Sequence, residues 1–134
     1  DVGCGSGVVL ISAVKLGGRC GIGFDIDEPS VSNAQENLRS NSVHDRVQVY
    51  HGDLKKVRPG HFNIVIANLL SGIITGNIRR FHRFLLPNAT VLFSGVLVDE
   101  LDNFKEKVRK GGFDITGTET LGDWALVICK AKEV

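Results

Sequence analysis

The chain has 134 residues, enough for one domain with a substantial core, and its 43% hydrophobic and 23% charged residues are ordinary globular values. A net charge of +1 sets up no chain-wide field toward nucleic acid or membrane, and no apolar run approaches membrane-span length. Three scattered cysteines, Cys4, Cys20 and Cys129, read as a reduced intracellular protein, without the C-x-x-C or clustered His/Cys spacing of a metal site.

The first seven residues, Asp1-Val2-Gly3-Cys4-Gly5-Ser6-Gly7, read D-x-G-x-G-x-G and run straight into a helix-forming apolar stretch, residues 8–16. An acid at a strand end, a turn of alternating glycines and a helix start form a nucleotide-cofactor site. Glycine permits positive φ and puts no Cβ between backbone and ligand. The helix start offers unpaired N–H groups to an anion. The spacing differs from the dinucleotide G-x-G-x-x-G, since position 8 is Val, and from the P-loop, which needs a Gly-Lys-Ser/Thr ending. Such a loop follows a hydrophobic strand, of which only Asp1 and Val2 are present. The chain is therefore expected to be a fragment beginning at the end of its central first strand.

Ser6 is a candidate cap for the first helix, which Gly17-Gly18 ends. Residues 20–25 suit a second strand ending in Asp25, which lies where a nucleotide fold places an acid on the ribose hydroxyls. Asp27 is read as a helix cap, and Pro29 opens a helix to about residue 41 with Val31, Ala34 and Leu38 on one face. Residues 46–50 alternate as a third strand, followed by Asp53, which is either an acceptor for the adenine amino group or a turn residue. A fourth strand, 62–67, delivers Asn68 to the carboxyl edge of a parallel sheet, where ligand crevices form. Asn68 is the candidate reacting-centre residue, its carbonyl able to accept from an incoming amine. A helix is expected over 73–85 with Ile74, Ile78, Phe81 and Leu85 inward, and its Arg79, Arg80, His82 and Arg83 on an exposed face. Pro87-Asn88 turns into a fifth strand, 90–94. Asp99 caps a helix to Lys110, and strands over 113–118 and 124–129 close as an antiparallel hairpin.

This alternation resembles the class I S-adenosylmethionine (AdoMet) methyltransferases. The resemblance implies an α/β, Rossmann-like sheet of strand order 3-2-1-4-5-7-6 with helices on both faces, its first strand largely missing here. More narrowly, the chain resembles the methyltransferase family that modifies ribosomal protein L11. The matching stretches are residues 1–7, Gly-Phe-Asp-Ile-Asp-Glu-Pro at 23–29, Ile-Ala-Asn-Leu-Leu at 66–70, Phe-Ser-Gly-Val-Leu at 93–97 and Gly-Asp-Trp at 122–124. The first two are shared with many methyltransferases, and the Ala-Asn-Leu-Leu and Ser-Gly-Val-Leu pair is the more particular. The resemblance implies that Gly3, Gly5 and Gly7 shape the AdoMet loop and that Asp1 orients the loop and the cofactor's amino-acid end. It also implies that Asp25 holds the ribose, Asp53 lies near the adenine, and Asn68 lies near the methyl group and the acceptor amine. Residues 1–134 are expected to be a catalytic domain without the amino-terminal recruitment domain of that family. Pro87-Asn88-Ala89 replaces the family's frequent Pro-Gly-Gly.

The expected activity is methyl transfer from AdoMet to an amino group of a protein, a large-subunit ribosomal protein on the strength of the resemblance. No signal peptide is visible, and a cytoplasmic location is expected. No metal, no membrane and no direct nucleic-acid partner are expected. A nucleic-acid amino methyltransferase would carry Asn/Asp-Pro-Pro-Tyr/Phe after the fourth strand. Leu69-Leu70-Ser71 stands there instead, with no aromatic to stack on a flipped base. An NAD-dependent oxidoreductase is opposed by Val8, and a non-catalytic AdoMet-binding domain stays open.

Overall fold

The computed structural model describes residues 1–132, in two compact units, Asp1–Val57 and a second beginning at Arg58. In the first unit, helix α1 (Val8–Lys15), strand β1 (Gly21–Asp25), helix α2 (Glu28–Ser40) and strand β2 (Val47–His51) follow in order. β1 and β2 pair in parallel from Gly21↔Val47 to Asp25↔His51. α2 is the crossover that parallel strands require. Val2 makes a parallel bridge to Phe24 on β1.

The apolar residues of α2 recur at helical spacing, so Val31, Ala34 and Leu38 are all buried. They pack with Leu10 and Val14 of α1 and with Val43, Val47 and Val49. Leu10 lies so close over β1 that a Cβ at Gly23 would come within 2.5 Å of it. Asp27 is the N-cap of α2. Its Oδ2 accepts from Ser30 N at 2.9 Å and Ser30 Oγ at 2.6 Å, as the capping reading expects. These two bonds, the hydroxyl's first, hold the Asp27 carboxyl below its usual range. The folded state then binds this proton less readily than the unfolded chain, so the cap stabilises above the unfolded pKa and loses its effect as pH falls through the folded one. Asp27→Ala is expected to lower the melting temperature by a few degrees at neutral pH. In parallel melts of both proteins, the gap should close on acidification below the carboxylate range. Ser6 does not cap α1. The N-cap is Gly7, at φ 81°, and no side chain bonds to the helix start.

The second unit contains β3 (Phe62–Asn68), α3 (Ser71–Gly76), a 3-10 helix (Ile78–Phe84) and β4 (Leu85–Leu97). A short 3-10 turn (Val98–Glu100), α4 (Leu101–Lys110), β5 (Phe113–Leu121) and β6 (Trp124–Ala131) complete it. The sheet order is β3-β4-β6-β5, with β3 and β4 parallel and β6 antiparallel to both neighbours. Phe93 on β4 sits within an aromatic core, 5.1 Å from Phe81, 6.0 Å from Phe104 and 5.9 Å from Phe113 by ring centroids, all edge-on. Counting Val2 as the end of the first strand, the first unit has the run 3-2-1 of the expected order and the second has 4-5-7-6.

Three expectations change here. The helix over 73–85 is two pieces, broken at Gly76-Asn77, where Asn77 has φ −123° and its side chain donates to Ile73 O at 2.9 Å. Glycine is a poor helix former, and an Asn that bonds backbone competes with the helix ladder. Leu85 leaves the helix and opens β4, while Phe84 takes a buried place. Pro87-Asn88 lies inside β4 as an irregularity, with register jumping from Phe62↔Leu85 to Ile64↔Thr90 and Asn88 at φ 63°. The N-cap of α4 is Glu100 and not Asp99, because Val98–Glu100 turns as a 3-10 helix first.

Candidate functional site

In the first unit the backbone folds the glycine loop onto the end of β1. Gly3 N and Cys4 N both donate to Phe24 O, at 2.9 and 3.0 Å. Gly3, Gly5 and Gly7 have φ of 72°, 50° and 81°, a region that side chains with a Cβ rarely adopt. At Gly5 a Cβ would meet nothing within 4 Å, so the loop leaves open space there. At Gly7 a Cβ would lie 3.3 Å from that of Ala34. Gly7 therefore also serves packing between α1 and α2.

Asp25 closes the loop from the other side. Its Oδ2 accepts from Gly5 N at 2.8 Å and its Oδ1 from Asp27 N at 3.0 Å. Each oxygen keeps a further lone pair for a ligand hydroxyl. Gly52 N donates to Asp25 O at 2.9 Å, and a ring nitrogen of His51 pairs with Ile26 O at 2.9 Å. Both contacts bring the Asp53 turn to the same rim. Asp53 itself accepts from Lys55 N at 2.9 Å, a turn bond that leaves its second oxygen free of that contact. Asp1 Oδ2 is buried and has no hydrogen-bond partner. A buried carboxylate oxygen left unmatched is costly and marks a place where a ligand donor would fit. Burial, and then the Asp25 charge, raise the Cys4 thiol above its ordinary pKa, so Cys4 stays protonated and is no nucleophile. Asp1, the three glycines, Asp25 and Asp53 thus share one rim. Among the described residues, no group of three or more His, Cys, Asp or Glu could hold a metal ion, and no helix is long and apolar enough to cross a membrane.

Asn68 belongs to the second unit. It is the last residue of β3, opposite Ser94, and is exposed. Leu69 N donates to Ser94 O at 3.3 Å. Gly95, at φ 80°, lies against this segment so closely that a Cβ there would sit 2.7 Å from Leu69 O and 3.0 Å from Asn68 Oδ1. Sequence reading did not single out this contact. The signal was present, since a glycine inside a strand marks a close backbone approach. It also missed a bond from Ser71 Oγ to Glu100 Oε2, 2.6 Å, for which 29 residues of separation leave no local trace.

The family described as ribosomal protein L11 methyltransferase (PrmA) matches residues 1–132. The chain belongs to the ribosomal protein L11 methyltransferase family. Named ribosomal protein L11 methyltransferases from Alkaliphilus oremlandii and Alkaliphilus metalliredigens are 35% and 34% identical to it over 132 residues. In each case the match covers 98% of this chain and 42% of the relative, so the chain spans less than half the length of these proteins. The crystal structure of a ribosomal protein L11 methylase from Lactobacillus delbrueckii subsp. bulgaricus superposes with a TM-score of 0.92 at 28% identity, over 99% of this chain and 69% of that one. An RNA methyltransferase from Salinibacter ruber, in complex with S-adenosylhomocysteine, matches at TM-score 0.79 and 21% identity, over 100% of this chain and 80% of that one. The fold is the Rossmann-like α/β fold of class I methyltransferases.

Proposed function

We propose that residues 1–134 form the catalytic domain of an AdoMet-dependent protein methyltransferase acting on an amino group of a ribosomal protein. The observation that carries this reading is the rim of the first unit. There a positive-φ glycine loop, the Asp25 carboxylate and the unmatched Asp1 oxygen converge in a member of this family. Asp25 would accept from the ribose hydroxyls with its remaining lone pairs while holding Gly5 and Asp27 in place. Asp1 would accept a donor from the cofactor's amino-acid end. The uncapped start of α1 leaves N–H groups for that end's carboxylate. Asp53 would face the adenine amino group. When bound, AdoMet supplies a methyl group already activated by its sulfonium.

The protein's part is then to present a neutral amine in line with that methyl group, and orientation of this kind supplies several kcal/mol of a barrier. Asn68 is the residue proposed to do so. No side-chain hydrogen bond engages its carboxamide among the described residues, so the carbonyl is available to accept from the amine. Deprotonating a lysine near neutral pH costs about 4 kcal/mol, which a desolvated pocket reduces. The proton would pass to water. A cytoplasmic location and a large-subunit ribosomal protein as partner follow from the same reading.

The test is calorimetric titration of the protein with S-adenosylhomocysteine, with NAD as competitor, followed by methyl transfer to purified L11. Saturable binding that NAD does not displace is expected. Asp25→Ala should weaken it at least tenfold, about 1.4 kcal/mol, because it removes the ribose acceptor and releases Gly5. Displacement by NAD, or equal affinity in the variant, would sink the assignment.

A further inference from the structure

Asn68 is only as well aimed as the segment that carries it. That segment runs from the end of β3 through Leu69 and Leu70 into α3. α3 has six residues and no side-chain hydrogen bond at its N-cap, Leu70. A helix this short gains too little from its own ladder to fix its start. What holds it, beside the buried Ile74, are contacts to the end of β4 and to the turn that follows that strand. On the strand side, Leu69 N reaches Ser94 O at 3.3 Å, near the long limit for a hydrogen bond, and Gly95 lies beneath Leu69 and the Asn68 carboxamide. On the helix side, Ser71 Oγ donates to Glu100 Oε2 at 2.6 Å.

The second contact is the stronger. A hydroxyl on a carboxylate at this distance belongs to the short, charge-assisted class. Glu100 also stands at the N-cap of α4, yet its side chain makes no cap bond to its own helix and turns instead to Ser71. It forms no salt bridge among the described residues, where the ion pairs are Lys110–Glu106 and Lys132–Asp114. The carboxylate therefore ties together the two loops that follow the adjacent strands β3 and β4.

We propose that Ser71 and Glu100 are positioning residues for Asn68, forming a clamp that fixes the angle at which its carboxamide meets the acceptor amine. The proposal rests on the role given to Asn68 above. Without the clamp, β3 still pairs with β4, and the rim of the first unit keeps its own contacts. The start of α3 is freed, and Asn68 samples orientations that do not serve the reaction.

The experiment measures methyl transfer, S-adenosylhomocysteine affinity and the Asn68 side-chain amide signal in nitrogen-15 spectra for Ser71→Ala, Glu100→Ala, the double variant and Ser71→Thr. Each of the first two should lower kcat roughly tenfold, with KM, cofactor affinity and melting temperature nearly unchanged. The double variant should be no worse than either single one, because one bond is lost in all three. Ser71→Thr, which keeps the hydroxyl, should restore both kcat and the Asn68 signal. The pH profile should not move, whereas a proton-accepting Glu100 would shift it. Unchanged kcat in the single variants, or additive losses in the double one, overturns the clamp. If the protein itself transfers no methyl group, the proposed reaction fails. The spectra then decide alone, and an Asn68 signal indifferent to Ser71→Ala overturns the clamp by itself.

Discussion

Asn68→Ala is expected to lower the rate of methyl transfer roughly a hundredfold, with S-adenosylhomocysteine affinity within a factor of two of the parent. The residue ends β3 at the carboxyl edge of the sheet, is exposed, and offers a carboxamide with no side-chain partner among the described residues. Truncation removes the carbonyl that would orient the amine and leaves untouched the contacts of Asp25 with Gly5 and Asp27. The loss should fall on kcat, because an oriented amine matters most as the new bond forms. Asn68→Asp should not rescue it. A carboxylate beside the amine favours the charged ammonium, which has no lone pair to attack with. Single-turnover rates with L11 as acceptor, alongside calorimetry, check both variants, and undiminished turnover in Asn68→Ala would remove the residue from the reaction.

Gly95→Ala is expected to cost about 2–4 kcal/mol of stability and to reduce turnover at least as far as Asn68→Ala does. Two separate penalties meet at this position. The backbone sits at φ 80°, where a side chain is strained whatever the space around it. The added Cβ would also stand 2.7 Å from Leu69 O and 3.0 Å from Asn68 Oδ1. Leu69 O is backbone and can recede only by moving the end of β3, so relief of the clash displaces Asn68. Trp124, the single tryptophan, pairs with Leu97 on the same strand as Gly95, so its fluorescence follows denaturant unfolding of this unit. A midpoint and turnover equal to the parent's would show that the close approach is not needed.

Much of this protein is legible in local sequence because the relevant physics is local. The spacing of Val31, Ala34 and Leu38 is enough to orient α2, and Asp27 three residues before Ser30 is enough to cap it. Alternating glycines between Asp1 and α1 report a backbone that must adopt positive φ, and all three do. The order of strands within each unit is the one that the resemblance to class I methyltransferases implies. Boundaries were less legible where a weak local preference competed with packing. The break at Gly76-Asn77 places Phe81 and Phe84, not Leu85, in the buried set.

The site divides along the same line. Glycine spacing and the polar residues at the ends of successive strands name Asp1, Gly3, Gly5, Gly7, Asp25, Asp53 and Asn68 as candidates. Only the tertiary structure decides what each side chain touches. Asp25 spends a bond on Gly5 N across 20 residues, and Gly7 packs on Ala34. Asn68 rests over Gly95, and Ser71 meets Glu100 across 29 residues. A periodic pattern records which face of an element is buried, because neighbours along the chain share that face. It records nothing of which distant side chain arrives there, because that pairing is created by the crossing of separate elements.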